Sequence, residues 1–597
     1  MIAAAAAGVV VIGLSYRLSA GGAPPSQYYA TFWAGTLLAL VPLVVRVTTG
    51  HHGQAVRGIA LLGVLTSVPK FLRNPSAPGY HDEYAHWREA VDVLSSGTLL
   101  RPNALIPIVQ FYPGTSGLTA AVQRLTGLPV WSSGQIVLFT AHMLALFAVF
   151  VLVRVHLRSP VAGAFGAVIY ALNPSEMYFD TQYSYEGVAI ALFLWVLALT
   201  SFAARAHGRA RVAATALAVL CAAACVVTHH LTTLFLLLLL FLVVVVVSIR
   251  ARSDRGRPDA GSPVRVWWIV FGGTVVTTAV WLWLVARPTL RYLSPYFGGS
   301  VDQLSVIAVR QDPGRTILAA SAQPLWERGV TALAPVVVGL GCLTALLVLR
   351  RGLGAWRADT LTLAAYGLLY FPSVLFLLAP LGAEGARRSW AFTYVGIALI
   401  GAFLIVRARG RVPVWRSRPV LLALFVVVLI GNVGGGLNDQ YRFPKPFRWG
   451  ADTNSASAEA RTVAEQLAAE AGDVRVVTDR YTRLQVGAYG GLDIAMPSAG
   501  FPAWDLTQAP GDPTAGLAWS LVTSHYDYLV VDVRMAAEPA FNGDNYGQGD
   551  PLAGRATPID QLERLDRVPW AARIITTEHL RVYRLDLSRL ITTAVPG

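Results

Sequence analysis

Apolar runs of about twenty residues, separated by short polar segments, recur along the first 438 positions of the chain. Runs of that length match the ~20-residue helix that crosses roughly 30 Å of hydrocarbon, and helices satisfy their own backbone polar groups in lipid. The pattern predicts thirteen spans, near 1–16, 29–45, 57–72, 134–153, 160–175, 187–204, 212–228, 231–248, 266–286, 330–349, 360–380, 389–406 and 419–437. After 438 the pattern changes. Segment 455–472 carries apolar residues at helical spacing and closes on a glycine, while 473–479, 526–533 and 580–585 read as strands between Gly- and Pro-rich turns. The expected fold class is an α-helical polytopic membrane protein over 1–438, with a C-terminal extracytoplasmic α/β domain over 439–597.

Composition agrees. Of 597 residues, 54% are apolar and 14% charged, against about 25% charged in ordinary soluble domains. Residues 439–597 hold 20 acidic and 15 basic side chains, and the remainder holds 14 and 33. The net charge of +14 therefore sits in short loops between spans, where it sets orientation, and no nucleic-acid partner is implied. Lysine occurs only at Lys70 and Lys445, as GC-rich bacterial coding would produce. Cys221, Cys225 and Cys342 fall within apolar runs, which supports neither a disulfide framework nor a thiolate metal site.

Arginine alternates along the spans. The short Arg-bearing loops fall on one side, assigned to the cytoplasm, which puts the N-terminus inside and the C-terminal domain outside a bacterial plasma membrane. Only Asp254, Asp259 and Asp359 of the early carboxylates then lie inside; the other eleven lie on the outer face. Spans lack mid-membrane carboxylates, whereas ion-coupled pumps use such groups as relays.

The longest outer loop, 73–133, opens with H-D-E-Y-A-H-W-R-E-A-V-D-V-L-S-S-G from His81. Trp87, Ala90, Val91 and Leu94 form an apolar stripe among charges, as in a helix lying at the interface, and a second helix is expected over 116–127. Asp82 and Glu83 sit where a span leaves the bilayer, within reach of a lipid headgroup, which suits a general base. Carboxylates also favour the first turn of a helix, and Asp82 with His86 at i, i+4 suits a local pair.

The pattern D-E-x(5)-E-A-x(3)-L-x(2)-G-x-L-x(2)-P from Asp82 to Pro102, followed by F-Y-P-G at 111–114, resembles the first outer loop of GT-C fold glycosyltransferases. The branch it most resembles contains protein O-mannosyltransferases and aminoarabinose transferases. Pro113-Gly114 stands where that family often has a proline pair. The resemblance implies a polyprenyl-phosphate-linked sugar as donor and a glycan, lipid or protein as acceptor. It makes Asp82 the catalytic base, Glu83 its acidic neighbour, and an Arg of a late outer loop the group that holds the donor phosphate.

Other outer residues fit this chemistry. Segment 176–187 gathers Glu176, Asp180 and Glu186 with Tyr178, Tyr183 and Tyr185; carboxylates and ring faces are what sugar hydroxyls and CH faces require. Asp180 is the expected second acid, while an interfacial tyrosine belt is the plainer use of the same rings. Arg387 and Arg388 run against the positive-inside bias and suit the donor phosphate. His229 and His230, in an outer turn, suit a phosphate contact, a divalent cation such as Mg or Mn, or a hairpin end. His86, Tyr112, Tyr183, Tyr185 and Glu186 are the expected substrate contacts, and loop 287–329 is long enough to act as a lid. The different class left open is a lipid-glycan flippase or a non-catalytic scaffold with an outer binding domain.

Overall fold

The computed structural model describes residues 1–49, 52–253, 261–292, 322–349, 356–375, 380–409, 418–436, 439–495, 501–509, 511–547 and 549–594. Two compact units result: Met1–Ser76 with Phe111–Phe443, and Ala77–Gln110 with Pro444–Gly597.

The first unit is helical. It contains α1 (Ile2–Ala20), α2 (Pro25–Thr49) and α3 (His52–Arg73). After α4 (His81–Ser96), which belongs to the second unit, come α5 (Gly114–Thr126), α6 (Val130–Leu157), α7 (Pro160–Tyr170), α8 (Tyr185–Ala203) and α9 (Gly208–Thr228). Then follow α10 (His230–Ser253), α11 (Gly261–Leu284), α12 (Leu325–Leu349), α13 (Ala358–Gly367), α14 (Pro380–Arg409) and α15 (Arg418–Gly436). Among the described residues eleven helices are long and apolar enough to cross a membrane, where the hydropathy pattern predicts thirteen.

The two exceptions have local causes. α7 has 11 residues, about 16 Å at 1.5 Å per residue; it starts on Ser159, whose side chain caps the Ala162 N–H, with Pro160 at its first position. It stops just before Asn173-Pro174, because a residue preceding proline disfavours the helical region. The expected span 360–380 breaks after Gly367 and resumes as the short helix Tyr370–Leu375. Pro372 has no N–H and its ring would clash with the carbonyl of residue 368 in a continuous helix.

Small residues let helices touch backbone to backbone, as in membrane bundles generally. A Cβ on Gly35 would lie 2.8 Å from the Gly8 carbonyl oxygen, and one on Gly367 would lie 2.6 Å from the Gly396 carbonyl carbon. These contacts hold α1 on α2 and α13 on α14. The buried core runs through α2, α6, α7, α8, α10 and α14.

The second unit combines α4 with α16 (Ala458–Ala471), α17 (Thr482–Tyr489), α18 (Ala515–Thr523), α19 (Leu587–Ala594) and a five-stranded sheet. The strands are β1 (Arg475–Val477), β2 (Asp493–Ile494), β3 (Tyr526–Asp532), β4 (Ala571–Thr576) and β5 (Leu580–Leu585), in the order β2-β1-β3-β5-β4. β1 runs parallel to β2 and β3; β5 runs antiparallel to β3 and β4. The expected helix and three strands are present. β2 is too short to leave a pattern, and β4 is a mostly exposed edge strand without alternation. Ser457 caps the Ala460 N–H at the start of α16, and Gly472 at φ 73° ends it.

Segment 77–110 is built into this unit. Arg88 of α4 donates to the Gly487 carbonyl at 2.5 Å and pairs with Asp92 at 2.8 Å. Trp87 meets the ring of Tyr489 at 5.2 Å, and Leu105 fills the space beside Gly487. Of the apolar stripe, Ala90 is buried and Trp87, Val91 and Leu94 are half-buried, while Glu83, Tyr84, His86, Arg88 and Glu89 are buried as well.

Candidate functional site

In the first unit the connector between α7 and α8 carries most of the expected carboxylates, and its course is set by polar groups. The Asn173 side-chain carbonyl accepts the Ser175 N–H at 2.9 Å, and its amide donates to Glu176 at 3.1 Å. Glu176 also accepts from Thr66 at 3.3 Å and faces His142 Nδ1 at 3.3 Å. On its other side, His142 Nε2 donates to the Asp180 carbonyl at 2.8 Å. One imidazole from α6 thus ties a side chain and the main chain of the same connector together.

Asp180 is 1% exposed, and neither carboxyl oxygen has a hydrogen-bond partner among the described residues. Burial, together with Glu176 and Glu186 nearby, pushes its pKa well above the usual carboxylate range. Glu186, in the first turn of α8, accepts from Arg388 of α14 at 2.7 Å. That guanidinium also lies over the Phe179 ring, 5.1 Å from its centroid. Arg387 anchors the connector through its carbonyl, which accepts from Ser175 at 2.8 Å.

Beside this pair is a group of rings. His229 breaks the chain between α9 and α10 with extended backbone, φ −156° and ψ 125°. Its ring stacks on Tyr185 at 4.3 Å, and its Nδ1 meets the Thr232 hydroxyl at 2.8 Å. His230 packs against Tyr112 at 5.1 Å, Tyr185 at 5.7 Å and Tyr292 at 5.7 Å. It is 8% exposed, its Nδ1 has no hydrogen-bond partner among the described residues, and Arg388 is near enough to act on it electrostatically. Tyr112 is held by its hydroxyl on Thr289 at 2.9 Å.

Asp180, Glu186, Tyr185, Tyr112, His229, His230 and Arg388 are therefore brought together in one region of the first unit. Tyr183 is not. Its hydroxyl donates to Thr119 at 2.8 Å and its ring meets Trp131 at 5.6 Å and the backbone of Gly134, so it joins α5 to α6. No group of three His, Cys, Asp or Glu residues that could hold a metal ion occurs among the described residues.

Asp82, Glu83 and His86 belong to the second unit. Glu83 is fully buried and accepts the Gly79 and Tyr80 N–H groups at 3.0 Å each, which caps α4. Asp82 is a third exposed and lies 3.4 Å from His81 Nδ1. His86 is buried and lies 4.0 Å from Glu89. Tyr296, Asp302, Gln303, Arg310 and Asp312 of the expected lid lie outside the described residues, as do Asp254 and Asp259.

Sequence reasoning missed His142, although it is the only ionisable residue between positions 130 and 153. An ionisable group inside a span is a signal by itself.

The chain is a helical multi-pass membrane protein with a C-terminal mixed sheet. No protein-family model and no curated protein matches it. Among solved structures it is similar to ArnT from Cupriavidus metallidurans bound to undecaprenyl phosphate, with 13% identity, TM-score 0.49, 91% of this chain and 99% of that one covered. It is also similar to the archaeal oligosaccharyltransferase AglB from Archaeoglobus fulgidus, in complex with an inhibitory peptide and a dolichol-phosphate, with 11% identity, TM-score 0.49, and 81% and 70% covered. A third is the arabinofuranosyltransferase AftD from mycobacteria, with 14% identity, TM-score 0.47, and 88% and 41% covered.

Proposed function

We propose that the protein is a membrane glycosyltransferase that moves a sugar from a polyprenyl-phosphate donor to an extracytoplasmic glycan, lipid or protein by single displacement. The observation that carries this reading is the Arg388–Glu186 pair within electrostatic reach of His230. A buried carboxylate orients the guanidinium, the Phe179 ring lies against it, and the His230 Nδ1 within its electrostatic reach has no hydrogen bond among the described residues. Guanidinium groups bind phosphate oxygens through charge-assisted hydrogen bonds, and aromatic rings suit the CH face of a sugar.

In this reading Arg388 and His230 hold the donor phosphate, with Arg387 a second cation. Tyr112, Tyr185 and His229 contact the sugar. Asp180, whose burial favours the protonated carboxyl, donates a hydrogen bond to a sugar hydroxyl. Asp82 takes the proton of the acceptor hydroxyl. The acceptor oxygen then bonds to the anomeric carbon as the bond from that carbon to the phosphate oxygen breaks. The electron pair leaves on the polyprenyl phosphate, whose growing charge Arg388 stabilises. One displacement gives inversion at that carbon.

Transfer of labelled sugar from a polyprenyl-phosphate donor by the purified full chain tests this. Arg388→Ala is expected to lower kcat/KM per folded molecule at least a hundredfold, with some loss of stability because Glu186 is left buried without its partner, and Asp82→Asn to abolish transfer while keeping the wild-type melting profile. Undiminished transfer by either variant removes that residue from the mechanism. Failure of wild type with every polyprenyl-phosphate sugar, together with movement of a lipid-linked glycan across vesicles, supports the flippase class instead.

A further inference from the structure

An apolar cavity lies in the same helical unit, at the end of its helices opposite the candidate site. The first turns of α2 carry Tyr28 and Tyr29, whose hydroxyls donate to Asp439, and α15 ends near Pro174 of the connector. That end carries the carboxylate–arginine site. The opposite ends of α2, α14 and α15, together with α7 and α12, enclose a cavity of about 410 Å³. Val44, Val338, Ile397, Leu404 and Phe425 are representative of its apolar wall, and Arg418 stands at its rim. Arg46 and Arg407, both exposed, occupy the same ends of α2 and α14.

Depth and charge together select the occupant. From Arg418 to Val428 the wall follows ten residues of α15, about 15 Å of helix, which is half of the ~30 Å hydrocarbon thickness. The cavity is one leaflet deep, and it is closed by Tyr394 and Leu172, where Asn432 donates to both the Tyr394 hydroxyl at 2.8 Å and the Leu172 carbonyl at 2.6 Å. A prenyl chain that reaches the donor site would have to pass this polar tie. An acyl chain of the leaflet on the Arg418 side meets no such barrier, and its phosphate falls at the helix ends that carry Arg418, Arg46 and Arg407, a complementary charge in a membrane with anionic lipids.

The geometry points to a binding site for one acyl chain of an anionic glycerophospholipid, inserted between α2, α7, α12, α14 and α15 with its phosphate on Arg418. The lipid fills the seam along which α12 meets α14, so it supports the bundle from the side opposite the candidate chemistry. The cavity's depth and rim charge require only that the helices span a bilayer; the exclusion of a prenyl chain rests on the proposed donor site.

Gly341 provides a clean test, because a Cβ added there meets no atom within 4 Å and points into open space at the cavity wall. The full-length protein is reconstituted in nanodiscs containing phosphatidylglycerol with a photoactivatable diazirine on one acyl chain, irradiated and mapped by peptide mass spectrometry. Adducts are expected on Val338, Ile397 or Leu404, falling at least fivefold in Gly341→Phe and in Arg418→Glu. Labelling of the lipid-facing Val276, 63% exposed on α11, should stay constant and confirms that the variants are folded. Adducts confined to outward positions such as Val276, or cavity labelling unchanged in both variants, would overturn the assignment. Displacement of the probe by polyprenyl phosphate but not by unlabelled phosphatidylglycerol would overturn it in favour of a prenyl chain.

Discussion

Asp82 and Glu83 are neighbours with different surroundings. Glu83 is used by its own helix, since two backbone N–H groups end on its carboxylate, whereas Asp82 stays a third exposed. Glu83→Ala is therefore expected to cost about 1 kcal/mol of stability through loss of the cap, with transfer falling only as the folded fraction falls. Thermal melting beside a transfer assay separates this from Asp82→Asn. At Asp180 the expected contrast is between Asn, which still donates a hydrogen bond and should keep most activity, and Leu, which cannot and should lose it.

Asp479 in the second unit gives a pH prediction. Burial, with Asp532 nearby, pushes its carboxyl up to about 6 from 3.8. Between those values the folded protein binds the extra proton, so stability is greatest below 3.8 and declines as pH rises through about 6. Asp479→Asn keeps an oxygen for the Tyr481 and Thr482 N–H groups and removes the slope. Melting of the full chain should show the variant more stable than wild type by up to about 3 kcal/mol at pH 8, and equal to it near pH 4. The carboxylates and histidines of the site could be named from sequence because polar residues at span ends are conspicuous. Which of them meet could not. Tyr183 and Tyr185 share a segment, yet one packs a helix pair and the other stacks on His229, since a two-residue step reverses direction in an irregular connector.

Among elements, the last spans are secured by a buried ion pair. Glu327 at the start of α12 accepts from Arg442 at 2.6 Å and from Trp33 at 3.1 Å, with exposures of 0% and 1% for the pair. The Arg442 guanidinium lies over the Tyr29 ring at 4.6 Å and the Phe443 ring at 4.9 Å. Removing one partner leaves a charge uncompensated, so Glu327→Ala should destabilise by about 3–5 kcal/mol, while Glu327→Leu combined with Arg442→Met should recover much of that in detergent melting curves. Nothing in the sequence joins two charges 115 positions apart. Long helices were legible because hydropathy integrates over twenty residues. The broken ones were not, since Asn173-Pro174 and Pro372 act through single backbone groups that an average conceals.

On the scale of the whole chain, composition separates a membrane part from a C-terminal part, but it does not reveal that segment 77–110 is built into the latter. That assignment depends on Arg88 reaching the Gly487 carbonyl and on Leu105 filling a glycine's space. A truncation after residue 443 removes both partners. Such a protein should insert in membranes yet show α4 unprotected in hydrogen exchange and no sugar transfer; protection of α4 equal to wild type would contradict this.

The split unit also orders events on the ribosome. Its first piece emerges about 330 residues before its second, a delay of some tens of seconds at 5–20 residues per second, during which every remaining helix must be delivered to the translocon. Completion of α4 therefore waits for the end of synthesis, and an interrupted nascent chain carries Asp82 without the scaffold that shapes its helix.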